Sequence, residues 1–144
     1  MKVADLIGPR KEVFSITEDI SVHQAAQYLR EKQVRSVGVV GANGKVVGVV
    51  SHSDVSDKVA AENKCPAWMK ASDIMTRELV TVTPEITVDD CLRLMEQNTI
   101  FHLIVLDEKQ GFRGMLSVSD ILRVVASDEK ARADLLEAFI FPPR

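Results

Sequence analysis

One phrase occurs twice in this chain, and the repetition limits what the chain can fold into. Gly48-Val49-Val50-Ser51-His52-Ser53-Asp54 returns as Gly114-Met115-Leu116-Ser117-Val118-Ser119-Asp120, 66 positions later. The spacing holds well beyond the phrase. Thr17 meets Thr83, Ile20 meets Ile86, Val22 meets Val88, Val39 meets Val105 and Val59 meets Val125, all without a gap. A register kept from Thr17 to Val59 is a tandem duplication of one supersecondary unit. A unit of about 60 residues buries only roughly 60% of its unfolded surface, whereas about 150 residues bury nearer 70%. The two copies in this 144-residue chain are therefore expected to pack on each other.

Local patterns give the unit its elements. Val3-Ala4-Asp5-Leu6-Ile7 begins a short helix that Gly8-Pro9 stops. Val13 to Ile16 alternates and is β-prone. Ser21 is an N-cap with Gln24 as its capping-box partner, and Val22, Ala25, Ala26 and Leu29 follow at helical spacing to about Lys32. Val37 to Val40 is a buried strand, Asn43-Gly44 a hairpin turn in which both positions tolerate positive φ, and Val46 to Val50 the returning strand. A helix from about Ser53 to Ala61 completes a β-α-β-β-α unit. In the second copy Ala71 to Thr76 leads to a strand at 80–82. Thr87 caps a helix with Val88, Cys91, Leu92 and Met95 on its inner face. Strands at Phe101 to Leu106 and Phe112 to Leu116 follow, and then a helix from near Ser119. The fold class is α+β. The expected division is 1–62 for the first motif, 63–70 for a linker, 71–127 for the second motif and 128–144 for a C-terminal helical extension. Leu135, Leu136, Phe139 and Ile140 form an apolar stripe on that extension.

Charge and composition narrow the function classes. The net charge is -3, which argues against a nucleic-acid binder that relies on a basic face. The longest wholly apolar runs, such as Leu103-Ile104-Val105-Leu106, fall far short of the roughly 20 residues that cross a bilayer, so no membrane span is expected. Met1 to Asp5 carries an early acid and does not read as a secretion signal. Cys91 lies on an apolar helix face and reads as a buried free thiol, consistent with a cytoplasmic location.

Ser51-x-x-Asp54 and Ser117-x-x-Asp120 admit two readings. A serine followed three residues later by an acid is a capping box, which satisfies backbone N–H groups at a helix start. The same geometry suits a nucleotide. A helix N-terminus favours phosphate, a serine hydroxyl adds one bond, and an aspartate accepts from two vicinal ribose hydroxyls. The two readings are compatible.

Two further pieces stand beside the repeated phrase, which reads Gly-apolar-apolar-Ser-x-x-Asp in both copies: Asp73-Ile74-Met75-Thr76 and Val82-Thr83-Pro84-Glu85-Ile86-Thr87-Val88. With them, the chain from about Val3 to Ala126 resembles a pair of cystathionine β-synthase (CBS) domains, the tandem known as a Bateman module. The resemblance implies two β-α-β-β-α motifs packed through their sheets with pseudo-twofold symmetry. It also implies clefts for adenosine-containing molecules: AMP, ADP, ATP, S-adenosylmethionine or NAD(H). On this resemblance Asp54 and Asp120 hold ribose hydroxyls, and Ser51 and Ser117 face phosphate. Thr17 and Thr83 line the adenine or ribose side, and Arg35 and His102 are phosphate-contacting basic residues. The chain departs from the family pattern at Glu18, where the second copy has Pro84, and at Gly38 and Ile104, where proline is usual. Asp5-Leu6-Ile7-Gly8 is a poor match to Asp73-Ile74-Met75-Thr76, and the loop after it is longer.

No catalytic constellation stands out. Ser51, His52 and Asp54 are neighbours whose side chains cannot form a relay, and Val118 replaces His52 in the second copy. His23, His52 and His102 have no metal-ligand spacing, and no Gly-rich phosphate loop is present. The expectation is a non-enzymatic, regulatory module that senses energy state or a metabolite through an adenine nucleotide. It needs no catalytic cofactor or metal, forms a homodimer and acts in trans on an unidentified protein. The alternative is a protein-interaction or oligomerisation module with vestigial, ligand-free clefts, in which the Ser/Asp pairs serve only as caps.

Overall fold

The structure, a computed structural model, describes residues 1–8 and 12–127 and positions 130, 133, 136 and 137. The elements run α1 (Val3–Ile7), β1 (Ser15–Thr17), α2 (Val22–Lys32), β2 (Ser36–Val40), β3 (Val46–Ser51) and α3 (His52–Val55). A π-helical turn at Ser56–Ala60 and a short 3-10 turn at Pro66–Trp68 follow. The second half holds α4 (Ala71–Ile74), β4 (Thr81–Val82), α5 (Val88–Asn98), β5 (His102–Leu106), β6 (Phe112–Ser117) and α6 (Val118–Ser127). The fold is α+β, with one three-stranded sheet per repeat in the orders β1-β2-β3 and β4-β5-β6. β1 runs parallel to β2, and β2 antiparallel to β3; β4 is likewise parallel to β5.

The duplication extends to single backbone angles. Ser21 caps α2 by accepting the Gln24 N–H (3.0 Å), and Thr87 caps α5 by accepting the Asp90 N–H (3.2 Å). Each of these helices ends on a left-handed residue, Gln33 (φ 56) and Thr99 (φ 53), themselves repeat equivalents. Val34 N–H then returns to the Leu29 carbonyl (3.1 Å) and Ile100 N–H to that of Met95 (3.0 Å). These bonds satisfy carbonyls that a helix end leaves open.

The chain folds as two compact units that do not follow its linear halves. One holds 13–80 with 110–112; the other holds residues of 1–12, 81–109 and 113 onward. The short helix before each repeat is thus traded to the other. In the unit of the second motif, Val3 N–H bonds the Ile86 carbonyl (2.9 Å) and Ala4 N–H that of Pro84 (2.8 Å). In the unit of the first motif, Ala71 N–H bonds Ile20 (2.8 Å) and Ser72 N–H bonds Glu18 (3.1 Å). Ile20 and Glu18 are the repeat partners of Ile86 and Pro84, so both exchanges use the same socket.

The first motif's core comprises Ile16, Val22, Ala25, Leu29, Val37, Val39, Val50 and Val59, closed by Ala71, Ile74 and Met75 from the traded segment. Full burial of a side chain such as Ile74 contributes about 2–3 kcal/mol. Gly48 makes the closure possible. A Cβ there would lie 2.7 Å from Met75 Sδ, so only glycine lets this segment lie against β3. Its counterpart Gly114 is needed for a different reason, a φ of 126°.

Four expectations shift. The first strand begins at Ser15, and Val13 is exposed. In the hairpin only Gly44 has positive φ; Asn43 instead accepts the Lys45 N–H on its side chain (3.1 Å), which closes the turn locally. Ala71 to Ile74, expected only as a lead-in, is a helical turn. The helix expected from Ser53 starts at His52 and widens into the π turn, where Ala61 N–H reaches back five residues to Ser56 (2.8 Å). Of the C-terminal apolar stripe only Leu136 is among the described residues, and it is exposed; Leu135, Phe139 and Ile140 lie outside them.

Candidate functional site

In both copies the Ser-x-x-Asp phrase sits where an edge strand hands over to a helix. β3 ends on Ser51 and α3 starts at His52; β6 ends on Ser117 and α6 starts at Val118. His52 N–H bonds the Arg35 carbonyl (2.9 Å) and Val118 N–H bonds that of Phe101 (3.0 Å), which fixes each junction against the neighbouring strand's approach.

The capping box forms in both copies. Ser51 N–H donates to Asp54 Oδ2 (2.9 Å), and Asp54 N–H donates to Ser51 Oγ (3.3 Å). Ser117 N–H donates to Asp120 Oδ2 (2.9 Å), and Asp120 N–H donates to Ser117 Oγ (3.1 Å). There the likeness ends. Asp54 is the buried charged residue of the described chain, with 6% exposure. Its Oδ2 also accepts the Ser51 hydroxyl (3.0 Å). Its Oδ1 accepts the Thr76 hydroxyl (3.1 Å) and pairs with Lys58 Nζ (2.9 Å), and the same ammonium donates to the Ile74 carbonyl (2.8 Å). Asp120 is only part-buried, with a side chain 26% exposed, and Arg123 lies 3.5 Å from its Oδ1 on a solvated stem.

Thr76 reaches Asp54 because its segment adds a bridge to β3. Thr76 N–H bonds the Val49 carbonyl (2.8 Å) and Val49 N–H bonds that of Thr76 (3.0 Å). Lys58 reaches it because it lies one turn on, at the i+4 position. Sequence reasoning missed both residues. The i+4 spacing was a usable signal for Lys58; Thr76 had none, since its contact exists only through the traded segment.

The remaining predicted residues are spread along the sheets. Thr17 is exposed and level with Val40, while Ser51 is level with Ser36. At about 3.3 Å per residue these levels are roughly 13 Å apart, so the sheet does not bring Thr17 to the Ser51–Asp54 pair. Thr83 follows β4 and is exposed. Arg35 is exposed just before β2, and His102 opens β5 half-buried. They are not repeat equivalents: Arg35 corresponds to Phe101, and His102 to Ser36. A one-residue offset on a strand turns a side chain to the other face.

Cys91 is fully buried on α5. Burial, and secondarily the Asp90 carboxylate, push its thiol up to about 11. Among the described residues no group of three or more His, Cys, Asp and Glu side chains is placed to hold a metal ion, and no helix is long and apolar enough to cross a membrane.

The CBS domain family profile matches residues 3–61 and 71–127. The chain is 32% identical over 128 residues to the CBS domain-containing protein CBSX3, mitochondrial, of Arabidopsis thaliana, covering 86% of this chain and 62% of that protein. It therefore spans less than two thirds of that relative. A structure of a protein with CBS domains from Burkholderia ambifaria MC40-6 superposes with a TM-score of 0.82 at 25% identity, covering 89% of this chain and 96% of that one. The CBS domain pair of protein MJ0100, solved in complex with 5-methylthioadenosine and S-adenosyl-L-methionine, superposes with a TM-score of 0.78 at 26% identity, covering 88% of this chain and 97% of that one.

Proposed function

The chain belongs to the CBS-domain family, and on that premise we propose that it is a regulatory module that binds an adenosine-containing molecule and passes the binding on to another protein or to a second copy of itself. The observation that carries the reading is the pair of Ser-x-x-Asp junctions, each at the end of an edge strand, on a fold shared with a CBS pair that holds two adenosyl compounds. In this reading Asp54 and Asp120 are the candidate acceptors for ribose hydroxyls, and Ser51 and Ser117 face phosphate or its substitute. Thr17 and Thr83, lying further along the sheets, serve the adenine side, with Arg35 and His102 as phosphate contacts. The candidates are AMP, ADP, ATP, S-adenosylmethionine and NAD(H). The module divides into 1–62, 63–70, 71–127 and 128–144, works without catalysing a reaction, dimerises, and acts in the cytoplasm on an unidentified partner. A ligand shifts such a module only by its difference in affinity between states.

Thermal unfolding with each candidate at millimolar concentration tests the reading. A ligand at 100 times its Kd adds about 2.7 kcal/mol, which raises the Tm by several degrees for a chain of this size. No shift with any adenosyl compound refutes it. That outcome favours the second reading, an interaction module with ligand-free clefts. Its support is that both serine–aspartate pairs are already engaged as caps, while Trp68 and Phe101 are 87% and 75% exposed.

A further inference from the structure

One face of the first motif's central strand is covered by a side chain from far along the chain. Val37 and Val39 of β2 belong to the core, so Gly38 between them faces the other way, yet it too is buried. Phe112 covers it. A Cβ at Gly38 would lie 2.7 Å from Cζ of that ring and 3.1 Å from its Cε2, so the ring tip enters the space that a side chain would fill. Gln110 to Phe112 accordingly belong to the unit of the first motif, while the chain before and after them belongs to the other. The second copy is built differently. Ile104 stands in the place of Gly38 and brings its own, fully buried side chain, and Val46 is the counterpart of Phe112.

The turn that delivers the ring is strained. Gln110 has a φ of 63°, a left-handed conformation that is costly for a residue with a Cβ. The first copy places Gly44 at this position, where the same hand carries no such cost. Asp107 helps to close the turn by accepting the Lys109 N–H on its side chain (3.0 Å). Glu108, Lys109 and Gln110 are all exposed, so burial of the turn itself does little to offset the strain. The anchor at its end is the seated ring.

We propose that Phe112 is a latch. With its ring in the gap at Gly38, it holds the 107–112 turn closed against the strain at Gln110. When that gap is filled, or the sheet beneath it shifts, the ring leaves and the turn opens. The exposed turn thereby reports the state of the first motif's sheet. The latch is independent of the nucleotide reading, because it uses only contacts of the chain with itself.

Limited trypsin digestion of the full chain, read by mass spectrometry at the Lys109–Gln110 bond, tests this. Where opening and closing are fast relative to cleavage, the rate tracks the population of the open turn. Phe112→Ala raises cleavage at this bond by about tenfold or more, because truncating an aromatic anchor shifts that population by over a decade. Gly38→Val fills the gap and raises cleavage as well, but adds nothing further in the Phe112→Ala background. Cleavage after Arg93, within α5, monitors opening of a whole unit and stays at the wild-type rate. Phe112→Leu, a milder truncation, gives the same pattern with a smaller rise. A wild-type rate at Lys109 in Phe112→Ala overturns the latch. So does an additive double variant, or a rise at Arg93 that equals the rise at Lys109 in both Phe112 variants.

Discussion

Replacing each aspartate by alanine separates the two copies thermodynamically. At Asp54 the change removes the acceptor for Ser51 N–H and its hydroxyl, for Thr76 and for Lys58. Loss of the cap bond costs about 1 kcal/mol. The Thr76 bond to a buried carboxylate is worth about 1.5 kcal/mol, at the low end for a charged acceptor because Thr76 itself is exposed and regains water. The Lys58 side chain is 45% exposed and keeps its bond to Ile74, so its loss is discounted to about 0.5 kcal/mol. The total is about 3 kcal/mol. At Asp120 the Ser117 cap bond contributes about 1 kcal/mol, and Arg123, 77% exposed, adds little to it. With an m value of about 2 kcal/mol/M in urea, the Asp54→Ala midpoint falls by about 1.5 M, whereas loss of a cap bond alone lowers a midpoint by about 0.5 M. Far-UV circular dichroism during urea titration reads both. A midpoint loss of only about 0.5 M in Asp54→Ala, the worth of the cap alone, would refute the claim that Asp54 is held by residues outside its own capping box.

Other substitutions probe the fold that positions these junctions. Gly48→Ala forces Met75 away from β3 and lowers stability by about 1–3 kcal/mol, measured by the same titration. Thr99→Gly removes a β-branched side chain from a left-handed cap and raises stability by about 0.5–1 kcal/mol, the relief of strain exceeding the added freedom of the unfolded glycine. The Cys91 thiol is neutral when protonated, and the folded chain holds that proton from 9.0 up to about 11. Its contribution is therefore complete below pH 9 and is lost as pH rises through about 11, amounting to about 2–3 kcal/mol. Comparing unfolding of the wild type and Cys91→Ala across that interval isolates it; parallel curves would disprove the assignment.

The elements that the sequence shows most clearly are those governed by local chemistry. Ser21 with Gln24, and Thr87 with Asp90, cap their helices within a span of three residues, and the 3.6-residue spacing of Val22, Ala25 and Leu29 needs no distant partner to declare a buried face. Strand ends and turns were read less closely. The Asn43-Gly44 turn splits its work between a side-chain bond and one positive φ, and the edge of the first sheet is set by pairing with β2 rather than by the β-propensity of Val13. Within the candidate site, Ser51, Asp54, Ser117 and Asp120 were legible because the phrase is repeated. The unequal standing of the two copies was not.

By itself, then, the sequence determined the duplication, the β-α-β-β-α order and the capped junctions, since each depends on interactions within a few residues or on the repeat, and its motifs carried the resemblance to the CBS family. Only the tertiary structure decided that the helix before each motif is traded to the other, and that Thr76, 22 positions from Asp54, closes its carboxylate. The physical reason is that such contacts draw their energy from burying Ile74 and Met75 and from a β-bridge to Val49, which no local pattern encodes.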